Sequence, residues 1–223
     1  MSWERARKPE QKAIRREAIL NAALRLFSEK DYADISLNAI AKEAGISKPN
    51  IYRYFSTREE IFLVIYAKEQ SKLVAVMTER IQTLQGQDNV NAIVQVWVQT
   101  FIEHSVLLNL MPQLAISLER NSSVEQLVKF KHQSGIELQG LLESLIGAYP
   151  ALGMEQWYQI IACGFSMIVG LWPISNPGDR LLEAYNHPSV FQDPCTFEPF
   201  LTFGFKALIQ GAIAAKSPTP ITR

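Results

Sequence analysis

Apolar residues recur at spacings of three and four through most of the chain, and strand-like alternation is scarce. Between Pro9 and Glu29, Ile14, Ala18, Ile19, Ala22, Ala23, Leu26 and Phe27 fall on one stripe and predict a helix. Pro9 suits its first turn, where a missing N–H removes no hydrogen bond. Asp31-Tyr-Ala-Asp34 interrupts the pattern. Ser36 then stands where it can cap a second helix carrying Leu37, Ile40, Ala41 and Ala44, and Gly45 ends that helix where a positive φ is wanted. Ser47 can cap a third short helix reaching Tyr54, with Pro49 in its first turn. Ser56-Thr57-Arg58-Glu59 reads as a capping box opening a long helix that continues to about Leu84.

Beyond the turn at 85–88 the spacing predicts helices over 89–108, 112–119, 123–148, 154–172 and 197–215. The stretch 175–195, with Pro177, Pro188, Pro194 and Gly178, reads as an irregular connection with a short helix near Leu181–Tyr185. The fold class is therefore all-α. No charge occurs between Glu155 and Asp179, but Ile160–Ile174 is shorter than the roughly 20 apolar residues that cross a bilayer and has no flanking Lys or Arg cluster. A helix buried on most of its faces is expected there, and no membrane partner.

Composition narrows the function classes. With 223 residues, 48% apolar and 20% charged, the chain is globular. Two cysteines, Cys163 and Cys195, exclude a disulfide scaffold and a four-thiolate zinc site, and fit a reducing, cytoplasmic compartment. Met1–Arg16 lacks the apolar run of a secretory signal. The net charge of zero conceals +3 over residues 1–60 and −3 over the remainder. Arg5, Arg7, Lys8, Lys12, Arg15 and Arg16 crowd the start. A basic head on an acidic body suggests that the head meets a polyanion, although a solvated basic helix end gives the same count.

The informative block is Ser36–Phe62, SLNAIAKEAGISKPNIYRYFSTREEIF. A short helix, a Gly-containing turn and a second short helix before a capped long helix have the spacing of a helix-turn-helix. Ala41 allows close crossing, and Ile46 and Ile51 plug the angle. The second helix presents Lys48, Asn50, Tyr52, Arg53 and Tyr54 around the apolar Ile51 and Phe55. Lys and Arg meet phosphates, Asn pairs with adenine, aromatic surface meets a thymine methyl, and Tyr donates to phosphate. The helix starts at Ser36, Ser47 and Thr57 offer N–H groups to phosphates. A small trihelical core with a polar outer face is the alternative.

Gly45-Ile-Ser-Lys-Pro-Asn-Ile-Tyr-Arg-Tyr-Phe-Ser-Thr-Arg-Glu-Glu-Ile61 resembles the signature of the TetR family of bacterial transcriptional regulators, over about residues 10–65. The resemblance implies an N-terminal three-helix DNA-binding domain, 1–56, and a C-terminal helical domain, 57–223, that binds a small effector and forms a homodimer. It implies that Ser36 and Tyr54 touch phosphate, that Lys48, Pro49 and Asn50 face the major groove, and that Tyr52 contacts base or backbone of double-stranded DNA. Arg58 stands where the family more often has Lys, and its charge suits a phosphate. Pro49 departs from the small residue usual there and removes a backbone donor. The basic residues before Pro9 either reach an adjacent groove or add to the general attraction.

The last helix mixes Gly204, Ala207, Gly211, Ala212 and Ala215 with Phe200, Phe203, Phe205, Leu208 and Ile209, and 154–172 also carries small residues. Close packing is expected, within one chain or, as the resemblance implies, against the same helices of a second subunit. Trp97, Phe101, His104, Met111, Phe130, Gln133, Met167 and Trp172 are effector-binding candidates, although residues of these types are more often ordinary core. A largely apolar pocket suits a hydrophobic or aromatic effector.

An enzyme reading finds no G-x-S-x-G, phosphate loop or G-x-G-x-x-G, and His104, His132 and His187 lack metal-ligand spacing. No catalytic residue, cofactor or metal is expected. The expected function is a ligand-responsive regulator, a repressor that binds a palindromic operator. The alternative is a constitutive or architectural helix-turn-helix protein without an effector.

Overall fold

The computed structural model describes residues 9–191 and 195–216, apart from the side chains of Pro9 and Lys216. Arg5, Arg7, Lys8 and Pro194 lie outside the described residues. Among the described residues every regular element is helical. They are α1 (Pro9–Glu29), α2 (Leu37–Glu43), α3 (Lys48–Ile51), α4 (Arg58–Gln82), α5 (Val90–Ile102), α6 (Ser105–Leu110), α7 (Val124–Ala148), α8 (Met154–Ser175), α9 (Asp179–Tyr185) and α10 (Phe197–Lys216). A 3-10 turn, Tyr32–Asp34, follows α1, and a π-helical turn, Leu114–Leu118, follows α6.

Two expected helices differ in detail. The stretch 89–108 is broken between α5 and α6. His104 leaves helical geometry at φ −115°, ψ 55°, and its Nδ1 lies 2.7 Å from the carbonyl oxygen of Thr100, competing with the helical ladder. The stretch 112–119 widens to a π turn, in which Glu119 N–H donates to Leu114 O at 2.9 Å.

The chain divides into two compact units. The first comprises the residues up to Lys68 together with Gln113–His132. Its core extends past residue 56, because the first turns of α4 supply Ile61, Phe62, Ile65 and Tyr66. Ile19, Ala22, Ala23 and Leu26 of α1 are buried as their spacing predicts, but Ile14 is 69% exposed and lies off the core.

The second unit comprises Glu69–Pro112 and the residues from Gln133 onward. Here α10 packs on α8 and α5, and α6 on α8. A Cβ at Gly164 would lie 2.3 Å from Cε1 of Phe205, and one at Gly204 2.6 Å from Sδ of Met167. Glycine at these two positions lets α8 and α10 approach within one chain. The expectation that 154–172 is buried on most of its faces fails. Only Trp157, Ile160, Gly164 and Ile168 of α8 are buried, and only 17% of its most apolar window. The helix also extends past the expected end, through Pro173 to Ser175, and is long and apolar enough to cross a membrane by length and composition. The packed side faces α10 and α6; the other side has no cover among the described residues.

Candidate nucleic-acid interface

The helix-turn-helix is built by local chemistry. Ser36 Oγ accepts from Ala39 N–H at 3.1 Å and caps α2. Gly45 adopts φ +67°, where a side chain would be strained, and Ile46 N–H returns to Ala41 O at 3.0 Å. Ile40, Ala41, Ile51 and Phe55 are buried between the helices. α3 itself is short, and turn bonds carry it onward: Tyr54 N–H donates to Ile51 O at 2.9 Å and Phe55 N–H at 3.1 Å. Ser47 is its cap residue by position, although its hydroxyl makes no capping bond.

The burial of Ile51 and Phe55 turns the polar side outward. Ser36, Ser47, Lys48, Pro49, Asn50, Tyr52 and Arg53 are exposed, and Tyr54 is half-buried. Tyr52, at 51% exposure, is the large apolar surface of this face.

Thr57 and Arg58 have other work. The capping box opening α4 sits one residue later than expected: Thr57 Oγ1 accepts from Glu60 N–H at 3.1 Å, and Glu60 Oε2 accepts from Ser56 N–H at 2.8 Å. The Thr57 hydroxyl donates onward to Asn121 O at 3.0 Å, and the second Glu60 oxygen accepts from Ser123 N–H at 3.2 Å. Arg58 is turned inward, its side chain 25% exposed. Nη1 donates to the carbonyls of Tyr32, Ala33 and Ile35, Nε pairs with Glu59 at 2.9 Å, and the guanidinium lies 4.7 Å from the Tyr32 ring centroid. In this geometry Nη1 and Nε serve the turn after α1 and Glu59.

Tyr32 joins the same cluster, 3.1 Å from Ser117 Oγ and edge-on to Phe62. Burial pushes its phenol above the usual range. Tyr66, edge-on to Phe130, is pushed up further, by burial and then by the charge of Glu119. Ser117, Asn121, Ser123 and Phe130 thus pack with the head although they lie far from it in sequence. No periodicity signals such contacts.

Two family models cover most of the chain. One, for the bacterial regulatory proteins of the tetR family, matches residues 19–65; the other, for the tetracyclin repressor-like C-terminal domain, matches 67–216. The chain belongs to the TetR family of bacterial transcriptional regulators. An uncharacterized HTH-type transcriptional regulator of Mycobacterium tuberculosis is 44% identical over 71 residues, 32% of this chain and 34% of that protein. The HTH-type transcriptional regulator UidR of Escherichia coli is 29% identical over 120 residues, 53% of this chain and 59% of UidR. The chain thus spans about a third of the first relative and somewhat over half of the second. The solved structure of the fatty acid degradation regulator FadR from Bacillus halodurans shares the fold, with TM-score 0.54 and 16% identity over 93% of this chain and 98% of that one.

Within this TetR-family chain the effector candidates are divided between the two compact units. Phe130 lies in the first compact unit, against Tyr66, and the others lie in the second. Trp97 is buried against Phe205 and Trp157, with ring centroids 4.5 and 6.1 Å away. Met111 is buried; Phe101, His104, Met167 and Trp172 are half-buried. Trp172 Nε1 donates to Asn109 Oδ1 at 2.8 Å. Gln133 is exposed and donates to Glu137. Trp157, which the periodicity hides among core positions, is fully buried with no acceptor for its Nε1 among the described residues.

Proposed function

We propose that the chain is a cytoplasmic, ligand-responsive repressor that binds a palindromic operator as a homodimer and is released by a small, largely apolar effector. The observation that carries this reading is the outward face of α3. Lys48, Pro49, Asn50, Tyr52 and Arg53 stand exposed on a turn whose inner residues, Ile51 and Phe55, are fully packed. A rigidly backed face of this kind suits the major groove, with Asn50 toward a base edge and Lys48 and Arg53 toward phosphates. Ser36, Ser47 and Tyr54 flank it as backbone contacts. Thr57 and Arg58 enter this reading as residues that hold the head.

The dimer reading is supported by two exposed stripes in the second unit. On α8, Tyr158, Ala162, Ser166, Gly170 and Ile174 recur every fourth residue and are all exposed or lack neighbours. On α10, Phe200, Phe203, Ala207, Gly211 and Ala214 recur at spacings of three and four and are exposed, Phe203 at 75%. Apolar surface of this extent calls for cover. A two-fold dimer would offer two α3 faces to one side of a duplex, about 34–36 Å apart for half-sites one turn apart. The effector reading is supported by the aromatic group around Trp97 and by the unpaired Nε1 of Trp157, which suits a ligand carrying an oxygen acceptor. Release requires the effector to prefer one arrangement of the dimer.

A thermal-shift screen of small molecules, followed by DNA binding with each stabilising compound, tests this. A compound that raises the unfolding midpoint and weakens DNA binding is the expected result. Stabilising compounds that all leave DNA binding unchanged would favour a constitutive or architectural binder.

A further inference from the structure

A cleft of about 340 Å³ opens beside α3, lined by Lys12, Ala13, Arg15 and Arg16 of α1 and by Arg53 and Tyr54. Among the described residues, four cations line it and no carboxylate does. Lys12, Arg15 and Arg16 share one face of α1, at spacings of three and four, where like charges oppose helix formation. The nearby carboxylate of Glu17 is engaged by Lys68 at 2.6 Å. Arg16 is held with its guanidinium 4.6 Å from the Phe55 ring centroid, a packing contact that orients it. Neither Lys12 nor Arg53 forms an ion pair among the described residues. Tyr54 adds a neutral hydroxyl donor. A concave group of cations with a phenol at its edge concentrates positive potential on one small volume.

We infer that this cleft seats a phosphodiester of the duplex backbone next to the groove that α3 enters. The inference rests on the DNA reading above and assigns α1 residues to the contact that the α3 pattern alone does not include. The occupant is duplex DNA because the cleft shares Arg53 and Tyr54 with the α3 turn. Arg53 N–H donates to Asn50 O at 3.2 Å, so the cleft adjoins the turn that carries Asn50. Lys12 then fixes the register of the head on the backbone and reads no sequence.

The test uses the full chain and a fluorescent mixed-sequence duplex, with affinity measured across a salt series. Lys12→Ala and Arg53→Ala are each expected to reduce the slope of log K against log salt by about 0.9, one phosphate contact each, with unchanged unfolding midpoints. Lys129→Ala removes an exposed cation of the same compact unit, paired with Glu125 and remote in sequence from the cleft, and is expected to leave the slope unchanged. An unchanged slope in Lys12→Ala, or an equal loss in Lys129→Ala, overturns the cleft assignment while DNA binding itself stands. Failure of the unmodified chain to bind duplex at any salt overturns the DNA reading and this inference with it.

Discussion

Arg58 Nη1 donates to the carbonyl oxygen of Ile35 at 2.6 Å, and the same nitrogen reaches the carbonyls of Tyr32 and Ala33. The guanidinium therefore ties the start of α4 to the turn between α1 and α2, the turn that sets where α2 and α3 begin. A lysine at this position would keep the charge but lose the planar fork that serves carbonyls and Glu59 together.

Arg58→Ala should destabilise the head by about 2 kcal/mol, since charge-assisted hydrogen bonds to three carbonyls are lost. Urea unfolding measures this. The salt slope of DNA binding should stay unchanged; a fall of about 0.9 would mean that Arg58 contacts phosphate after all.

Asn50→Ala should act oppositely, leaving stability and nonspecific affinity intact while relaxing sequence preference by about 1–3 kcal/mol at one base position. Competition between selected and mixed-sequence duplexes measures the difference.

The head was legible in sequence because its determinants are local. Ser36 caps α2, Gly45 takes a positive φ, and α1 runs over the predicted span. What escaped the pattern depends on contacts between distant segments. Thr57 and Glu60 displace the capping box by one residue because Asn121 and Ser123 share it. Arg58 turns inward because three carbonyls outcompete solvent. His104 breaks a uniform apolar stretch through a single ring nitrogen. Apolarity likewise could not tell surface buried within one chain from surface left for a partner, so α8 looked like core.

Glycine substitutions on α8 and α10 separate those two kinds of surface. Gly164→Ala should destabilise the chain by about 1–3 kcal/mol, because its Cβ would overlap the Phe205 ring. Gly211 has nothing within 4 Å of an added Cβ. Gly211→Ala should favour the helix of an isolated chain by about 1 kcal/mol. If α10 packs against a second copy there, it should instead weaken association, read by the dependence of sedimentation on concentration.

Phe203→Glu should leave the helical content intact and yield a single-copy species in sedimentation, because a charge replaces an exposed ring on the α10 stripe. An unchanged association state would place the dimer contact elsewhere.

Tyr66 supplies a pH prediction. Its phenol is held above its ordinary value by burial, so the folded state keeps a proton that the unfolded chain releases near pH 10. The folded state binds more protons, so stability is full below that pH and declines as pH rises above it. Tyr66→Phe should remove this part of the alkaline decline in urea-unfolding free energy.

The most direct measurement is selection of bound duplexes from a random-sequence library by the full chain. Two inverted copies of one short motif at a fixed separation, about one helical turn between centres, are predicted. An enriched motif that occurs once, unrepeated, or no enrichment at all, would contradict a two-fold protein reading DNA through paired α3 faces.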